Sequence, residues 1–356
     1  MAHIQNLKIK NFRAFDSIEI DGLSKINLFV GKNSVGKSSI LEALFLITGM
    51  ANPMLAISVH EFRGLGITSA NQLRYLFHNL DFENKPTFKA KFNDSSERTL
   101  EFKAKYQEGK VLNKGVPLSV DYGSARVPKL VGLDLNFSLE KAGEQRLLGE
   151  SSLVFDGNEV RPTMSDYNED MYSAFVPSTI QDDALFPVYS FLFKQNQHGD
   201  ILRSLQAFDG NVENILPLDD GIYFEMKGLG PRVPSYIMGD GIRRFLNIMI
   251  TASMKHDQAV FIEEIENGLH YFAHELLWKN LIAFVEKYNL QLFVTTHNKE
   301  TLAYFKAALE QPDSEAMREH SSVFIVANTQ KAGYKTYRYS YEGLKSAIEH
   351  DNELRR

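Results

Sequence analysis

Ile26-Asn27-Leu28-Phe29-Val30, followed without a break by Gly31-Lys32-Asn33-Ser34-Val35-Gly36-Lys37-Ser38-Ser39, is the stretch on which the reading of this chain turns. An apolar strand, a glycine-bounded loop and an apolar helical run through Leu41, Leu44 and Phe45 together make a phosphate-binding P-loop. Gly31 and Gly36 let the backbone curl so that successive N–H groups of the loop, those of Asn33 and Ser34 among them, point inward at phosphate oxygens. Lys37 adds a point charge for the outer phosphates. The Ser38 hydroxyl is placed to join the shell of a Mg2+ ion, and the helix that Ser38 and Ser39 begin aims the positive end of its dipole at the same phosphates. A nucleoside triphosphate is the expected ligand.

With 356 residues the chain can bury a substantial core and form about two domains. The absence of cysteine excludes disulfides, thiolate catalysis and Cys-ligated zinc, and suits a reducing cytoplasm. Met1 to Lys8 lacks the uninterrupted apolar stretch of a signal peptide, so a cytoplasmic location is expected. The most apolar windows, Ile40 to Ile57 and Phe245 to Met254, are broken by Glu42, Asn52 and Asn247 and fall short of the roughly 20 apolar residues of a membrane helix. A formal net charge of -6 gives no global electrostatic footprint for nucleic acid, so any DNA contact has to come from a local patch or from a partner.

Upstream of the loop, Ile4 to Lys10 and Asp16 to Ile20 read as strands. Downstream, residues from about Thr87 to Pro162 alternate apolar and polar, as in Leu133-Asp134-Leu135-Asn136-Phe137-Ser138-Leu139, which predicts antiparallel sheet with one wet face. From about Tyr167 to Phe208, and again from Gly241 to Met254, apolar residues recur at three and four and predict helices. From Ala259 onward strand and helix alternate: Val260-Phe261-Ile262, Ala273 to Lys287, Leu292-Phe293-Val294, Lys299 to Leu309, Val323-Phe324-Ile325-Val326. Such alternation means a parallel sheet, which the P-loop strand is expected to join. Residues 1–50 and 225–356 then form two halves of one α/β domain, and 51–224 is an intervening region, β-rich over about 87–162 and helical over about 167–224.

The strand Ala259-Val260-Phe261-Ile262 ends in two adjacent carboxylates, Glu263 and Glu264. Neighbouring side chains of a strand point to opposite faces, so one can organise Mg2+ while the other orients and deprotonates an attacking water. Taken alone, such a pair reads more readily as a solvated strand end. It is not alone, because a second apolar strand, Leu292-Phe293-Val294, ends in Thr295-Thr296-His297-Asn298. Open α/β sheets bind ligands at the carboxyl ends of their strands, so Lys37, Glu264 and His297 are expected to converge.

Phe12-Arg13, Gly31 to Ser38, Ile262-Glu263-Glu264-Ile265-Glu266-Asn267-Gly268-Leu269-His270 and Thr295-Thr296-His297, in that order, resemble the motifs of the ATPase heads of the ABC and SMC superfamily. Within it the chain most resembles the RecF-like and OLD-like (overcoming lysogenization defect) bacterial ATPases. The resemblance covers the N-terminal and C-terminal portions and leaves the middle largely unmatched. It implies an ABC/SMC-type α/β head with a mixed parallel sheet, an antiparallel β-rich segment and a helical insertion. It also implies an ATP sandwich, in which two heads close around two ATP molecules with Mg2+. Each site would take its P-loop from one subunit and a glycine-containing signature from the other.

The candidate signature is Met238-Gly239-Asp240-Gly241-Ile242-Arg243-Arg244, for which a turn and N-cap before a core helix is the plainer alternative. By position Glu264 matches the family's catalytic glutamate, Glu263 its metal-organising acid, where Asp is usual, and His297 its switch histidine. Glu266 to His270 matches the loop that crosses the dimer interface, with His270 a packing or subunit contact. Arg13 is a candidate for nucleotide contact, and equally an exposed arginine beside a turn. The Mg2+-sensing glutamine stays open between Gln181 and Gln195, and Arg243-Arg244 is read as solvated charge in preference to a phosphate contact.

The functional expectation is a Mg2+-dependent ATPase that dimerises, or forms a higher oligomer, around ATP and works with a separately encoded effector or nuclease in anti-phage defence. OLD-like relatives often carry a C-terminal Toprim nuclease, whereas the stretch beyond Asn328 is shorter than the roughly 50 residues of the smallest domains. The alternatives are a RecF-like DNA-repair ATPase, touching DNA through Lys8, Lys10 and Arg13, and an ATP-dependent scaffold with little turnover. No membrane partner is expected.

Overall fold

The computed structural model describes residues 2–107, 128–141, 143–144, 146–157, 159–179, 185–329 and 333–350; the candidate Gln181 lies outside them. Two sheets organise these residues. The hairpin of β1 (Ile4–Phe12) and β2 (Phe15–Asp21) extends through β4 (Thr87–Phe92), β5 (Glu97–Gln107), β6 (Lys129–Glu140), β7 (Leu147–Asp156) and β8 (Glu159–Thr163) into a seven-stranded antiparallel sheet. The second sheet has six strands in the order β16-β15-β3-β14-β13-β9. Its members are β3 (Ile26–Val30), β9 (Tyr172–Val176), β13 (Gln258–Ile262), β14 (Gln291–Thr296) and β15 (Ser321–Thr329), all parallel, with β16 (Gly333–Tyr339) antiparallel at one edge.

The period-two rule of a strand explains how the parallel sheet separates two cores. Ile26, Leu28 and Val30 point to one face with Val260, Ile262, Leu292 and Val294, and are covered by α5 (Asp240–Ser253), α6 (Tyr271–Tyr288) and α7 (Lys299–Glu310). Phe29 points to the other face with Phe261, Phe293 and Phe324, against α1 (Lys37–Thr48), α2 (Leu55–Glu61) and the antiparallel sheet. That second face carries an aromatic row running across the strands. Phe175 and Phe261 lie 6.1 Å apart, Phe261 and Phe293 5.2 Å, and Phe29 and Phe324 5.3 Å between ring centroids, each pair stacked. Such pairs are worth about 0.5–1.5 kcal/mol each beyond the area they bury.

The two sheets are also tied by one amide. Gln291, fully buried on β14, accepts from the Ile4 N–H at 2.8 Å and donates to the Ile4 carbonyl at 2.7 Å, so its side chain serves β1 as a strand neighbour would.

The middle of the chain is shared between both sheets: β4 to β8 continue the sheet begun by β1, and β9 edges the parallel one. The stretch expected to be helical from about Tyr167 begins with the strand β9, pairing in register with β13 from Gln258↔Tyr172 to Ile262↔Val176. The short apolar run Tyr172-Ser173-Ala174-Phe175-Val176 supports either structure, and the exposed edge of β13 decides it. Helices follow as α3 (Leu185–Lys194) and α4 (Gly199–Phe208), and then a hairpin of β10 (Val212–Leu218) and β11 (Gly221–Met226), edged by the short β12 (Val233–Pro234). The chain ends its described part in α8 (Tyr341–Glu349).

Candidate active site

The loop between β3 and α1 needs its glycines. Gly36 holds φ 94° and caps α1, and a Cβ there would strike the Phe15 ring. A Cβ on Gly31 would come 2.5 Å from the Val326 carbonyl oxygen. Lys37 is buried, and its Nζ donates to the carbonyls of Gly31 at 2.8 Å and Lys32 at 2.9 Å. The ammonium is thus held inside the ring of backbone that a phosphate chain would enter. Asn33, Ser34, Gly36, Lys37, Ser38 and Ser39 line a cavity of about 440 Å3. Its far wall is Glu264 and Thr295, from the ends of β13 and β14, as the rule for parallel sheets requires.

Glu264 sits in the left-handed region at φ 45°. A non-glycine residue there costs on the order of 1–3 kcal/mol, and three contacts hold it. Its N–H donates to Thr295 Oγ1 at 2.9 Å, its carboxylate accepts from Asn267 Nδ2 at 2.9 Å, and the next residue, Ile265, donates to the Thr295 carbonyl at 3.2 Å. His297 Nδ1 lies 3.9 Å from Glu264 Oε1 and closer, 3.0 Å, to Oε1 of Glu266, which also accepts from the His297 N–H at 2.8 Å. Glu266 therefore orients the imidazole beside Glu264. Glu263 is buried and accepts from the Ser178 N–H at 3.3 Å, and it is not among the residues lining the cavity.

Arg244 corrects an expectation. It is 1% exposed and not solvated: its guanidinium donates to the carbonyls of Pro177, Glu263 (2.6 Å) and Glu264 (3.4 Å). Burial pulls its pKa down to about 10 in spite of Glu263, Glu266 and Glu264 nearby, so it remains a cation at neutral pH. Arg243 stays nearer the surface and pairs with Asp240 at 3.2 Å.

Arg13 is not an exposed turn residue either. Its Nε lies 2.5 Å from Glu42 of α1, whose other oxygen pairs with Arg63 at 2.6 Å, and both arginines line the cavity. Burial lowers the Arg13 pKa and the Glu42 charge opposes that shift. The surface expected for DNA thereby loses Arg13, while Lys8 pairs with Glu19 at 3.3 Å and Lys10 is exposed.

Gly239, Asp240 and Gly241 stand apart from this cavity, at the N-terminus of α5. Gly239 has nothing within reach of a Cβ, and Gly241 lies against the Gly268 carbonyl, where a Cβ would be 3.0 Å away. Exposed Tyr236, Ile237, Tyr271 and Phe272 flank this junction in sequence, and His270 stacks on Phe272. Gln195 is exposed just past the end of α3 and does not line the cavity. Among the described residues no group of three or more acidic or imidazole side chains could hold a metal ion unaided. Mg2+ fits the site in the manner usual for it, through the Ser38 hydroxyl, a carboxylate and the oxygens of the nucleotide itself.

Comparison with known proteins locates these motifs in two matching families. Residues 3–148 match the family described as "AAA ATPase domain", and residues 135–303 the one described as "AAA domain, putative AbiEii toxin, Type IV TA system". The chain is 26% identical to an "ATP/GTP phosphatase" of Helicobacter pylori over 336 residues, 87% of this chain and 89% of the relative. It is 49% identical to the "DNA replication and repair protein RecF" of Clostridium acetobutylicum over 43 residues, 12% of each. Among solved structures it resembles an Smc head bound to the C-winged helix domain of ScpA, at 12% identity over 98% of this chain and 99% of that one, with a TM-score of 0.48. An SMC head from Thermotoga maritima gives 12% identity, 95% and 98% coverage, and a TM-score of 0.44.

Proposed function

We propose that this ATPase, which matches AAA ATPase family models, closes on a second copy of itself around ATP and Mg2+, and that Glu264 is the base that activates water for hydrolysis. The observation that carries this is the single cavity walled by the P-loop on one side and by Glu264 and Thr295 on the other. The loop N–H groups, Lys37 and the N-terminus of α1 bind the phosphates. Ser38 and Glu263 are the residues that would hold Mg2+, which would neutralise charge developing on the phosphoryl oxygens. Glu264 accepts the proton of the attacking water, with Asn267 fixing its other oxygen. His297, held by Glu266, donates to the γ-phosphate once the site is closed.

Closure needs a second surface, and the exposed rings beside Gly239 and Gly268 supply one. Tyr236, Ile237, Tyr271 and Phe272 are 64%, 66%, 47% and 73% exposed, more apolar side chain than a surface turn requires. In this reading Gly239, Asp240 and Gly241 approach the γ-phosphate held by the partner. The biological role we infer is anti-phage defence together with a separately encoded effector, to which the toxin–antitoxin description of the second matching family lends support. A RecF-like role in DNA repair rests on the short N-terminal match alone.

Sedimentation and ATP turnover, with and without Mg2+ and duplex DNA, test the reading. Glu264→Gln is expected to lower turnover by about 100-fold or more and to trap an ATP-dependent dimer. A monomer that stays monomeric with ATP, or a variant that hydrolyses like the wild type, would refute it. Stimulation of turnover by DNA would move the biological role towards repair.

A further inference from the structure

Behind His297, buried polar groups gather along one seam. Glu266 brings one carboxylate oxygen to 3.0 Å from His297 Nδ1, and its side chain is 8% exposed. Its other oxygen, Oε2, is buried and has no protein partner. The helices that follow Glu266 and His297, α6 and α7, both start from the carboxyl ends of parallel strands and run side by side. His274, one turn into α6, stacks its ring on Tyr304 of α7 at 5.5 Å with 7° between the planes. One turn further along, Trp278 meets Phe305 at 4.6 Å. Thr301 precedes Tyr304 by three residues and Phe305 by four, so it stands on the same face of α7, at the level of His274. Thr301 and Trp278 are fully buried and His274 nearly so, yet His274 Nδ1, Thr301 Oγ1 and Trp278 Nε1 also lack protein partners.

These groups complement one another. An ionised Glu266 can only accept and the Trp278 indole can only donate, whereas Thr301 and a ring nitrogen of His274 can do either. Burial lowers the His274 pKa, with the charges of Glu266 and then Glu300 opposing the shift, so the ring is neutral at pH 7 and has one N–H to give. A buried water makes about three hydrogen bonds to groups that would otherwise go unsatisfied, and this seam offers it such a set. We propose that His274 is a positioning residue for His297: through one or two buried waters, and with Thr301, its Nδ1–H supports Glu266 Oε2 and fixes the carboxylate that orients the imidazole. The Trp278 N–H ends the same chain. The proposal rests on the reading above, in which His297 donates to the γ-phosphate. A carboxylate held at one oxygen can rotate about its last bond. Held at both, it presents His297 in one orientation before the nucleotide arrives, as electrostatic preorganisation requires.

Steady-state ATP turnover of the full chain with Mg2+, with folding checked by thermal melting, tests the assignment. His274→Leu is expected to lower kcat about 10-fold and to change KM for ATP less than about 2-fold, because the lost hydrogen bond serves the transition state and not ground-state binding. His274→Asn, whose amide nitrogen takes the place of Nδ1, is expected to recover kcat to within about 3-fold of the wild type. His274→Gln, whose amide reaches the Nε2 position instead, is not. A folded His274→Leu with wild-type kcat, a loss that appears only in KM, or recovery by Gln as good as that by Asn overturns the positioning role. If His274→Leu does not fold, Thr301→Val decides: kcat lower by about 3-fold or more supports the role, and wild-type kcat overturns it. His297→Ala separates this inference from the reading beneath it. Wild-type turnover in His297→Ala refutes both, whereas turnover lost there and kept in His274→Leu refutes the inference alone.

Discussion

The two glycine-bounded segments of this protein are built to opposite ends. Residues 31–36 are closed upon their own chain: Gly31 presses on the Val326 carbonyl, Gly36 on Phe15, and Lys37 donates into the loop. Residues 238–241 open outward, with Gly239 facing free space and exposed Tyr236 and Ile237 just before it. A glycine of the first kind is required by the fold that surrounds it. Gly239 is not required by any neighbour among the described residues, so its reason has to be sought in what arrives from outside.

Arg244, on the helix that the open segment begins, ties that helix to the end of β13 that walls the closed segment's cavity, and its loss gives the largest expected effect. It sits one helical turn into α5 and holds the carbonyls of Glu263 and Glu264. Arg244→Met should cost about 3–5 kcal/mol in denaturant titration, because buried carbonyls and carboxylates lose their cation. Turnover should fall with it, whereas an unchanged midpoint would mean that the two segments are independent.

Acid acts beside the closed segment through His60, on α2, which is buried next to the Arg13 and Arg63 that line the P-loop cavity. An unfolded imidazole takes its proton near pH 6.5 and the folded one only near 4, owing to burial and then to those two charges. The unfolded state therefore binds more protons between these values, and stability drops as pH falls through that window by on the order of 2 kcal/mol. Melting curves from pH 7 to 4 should show the loss, and His60→Leu should reduce it, leaving the part that partly buried His3 contributes in the same way.

The two glycines themselves give the sharpest contrast and the smallest effects. Gly36→Ala, strained at φ 94° and driven against Phe15, should destabilise the protein by about 1–3 kcal/mol. Gly239→Ala should change stability by less than about 0.5 kcal/mol yet reduce ATP-dependent association in sedimentation. Equal stability losses at both sites would erase the distinction between closed and open segments.

Much of this was legible in sequence where chemistry and local pattern coincide. The apolar strands β3, β13 and β14 run straight into Gly31, Glu263 and His297, so each announces both its fold and its end of the sheet. What sequence could not show depends on tertiary neighbours. Arg244 reads like any surface arginine until the carbonyls of Pro177 and Glu263 are seen around it. Glu266 looks like one more acid in a loop, and only its 3.0 Å approach to His297 gives it a task. The strand β9 was hidden because its few apolar residues fit either period. The β10–β11 hairpin turns on Asp219-Asp220, between Leu218 and its partner Gly221, a pair without the Asn-Gly or Asp-Gly signal of a hairpin, so the surrounding helical pattern masked it.

The order of strands in the parallel sheet also has a consequence for biosynthesis. Both neighbours of β3, β14 and β15, come from the last third of the chain, whereas β1 finds β2 and β4 early. At about 5–20 residues per second on the ribosome, Ile26 to Val30 emerge many seconds before anything they can pair with. A strand that ends up wholly buried, next to the future nucleotide loop, thus waits unpartnered while the antiparallel sheet assembles. The nascent chain's need for a chaperone should be greatest in that interval and should end once β14 has emerged.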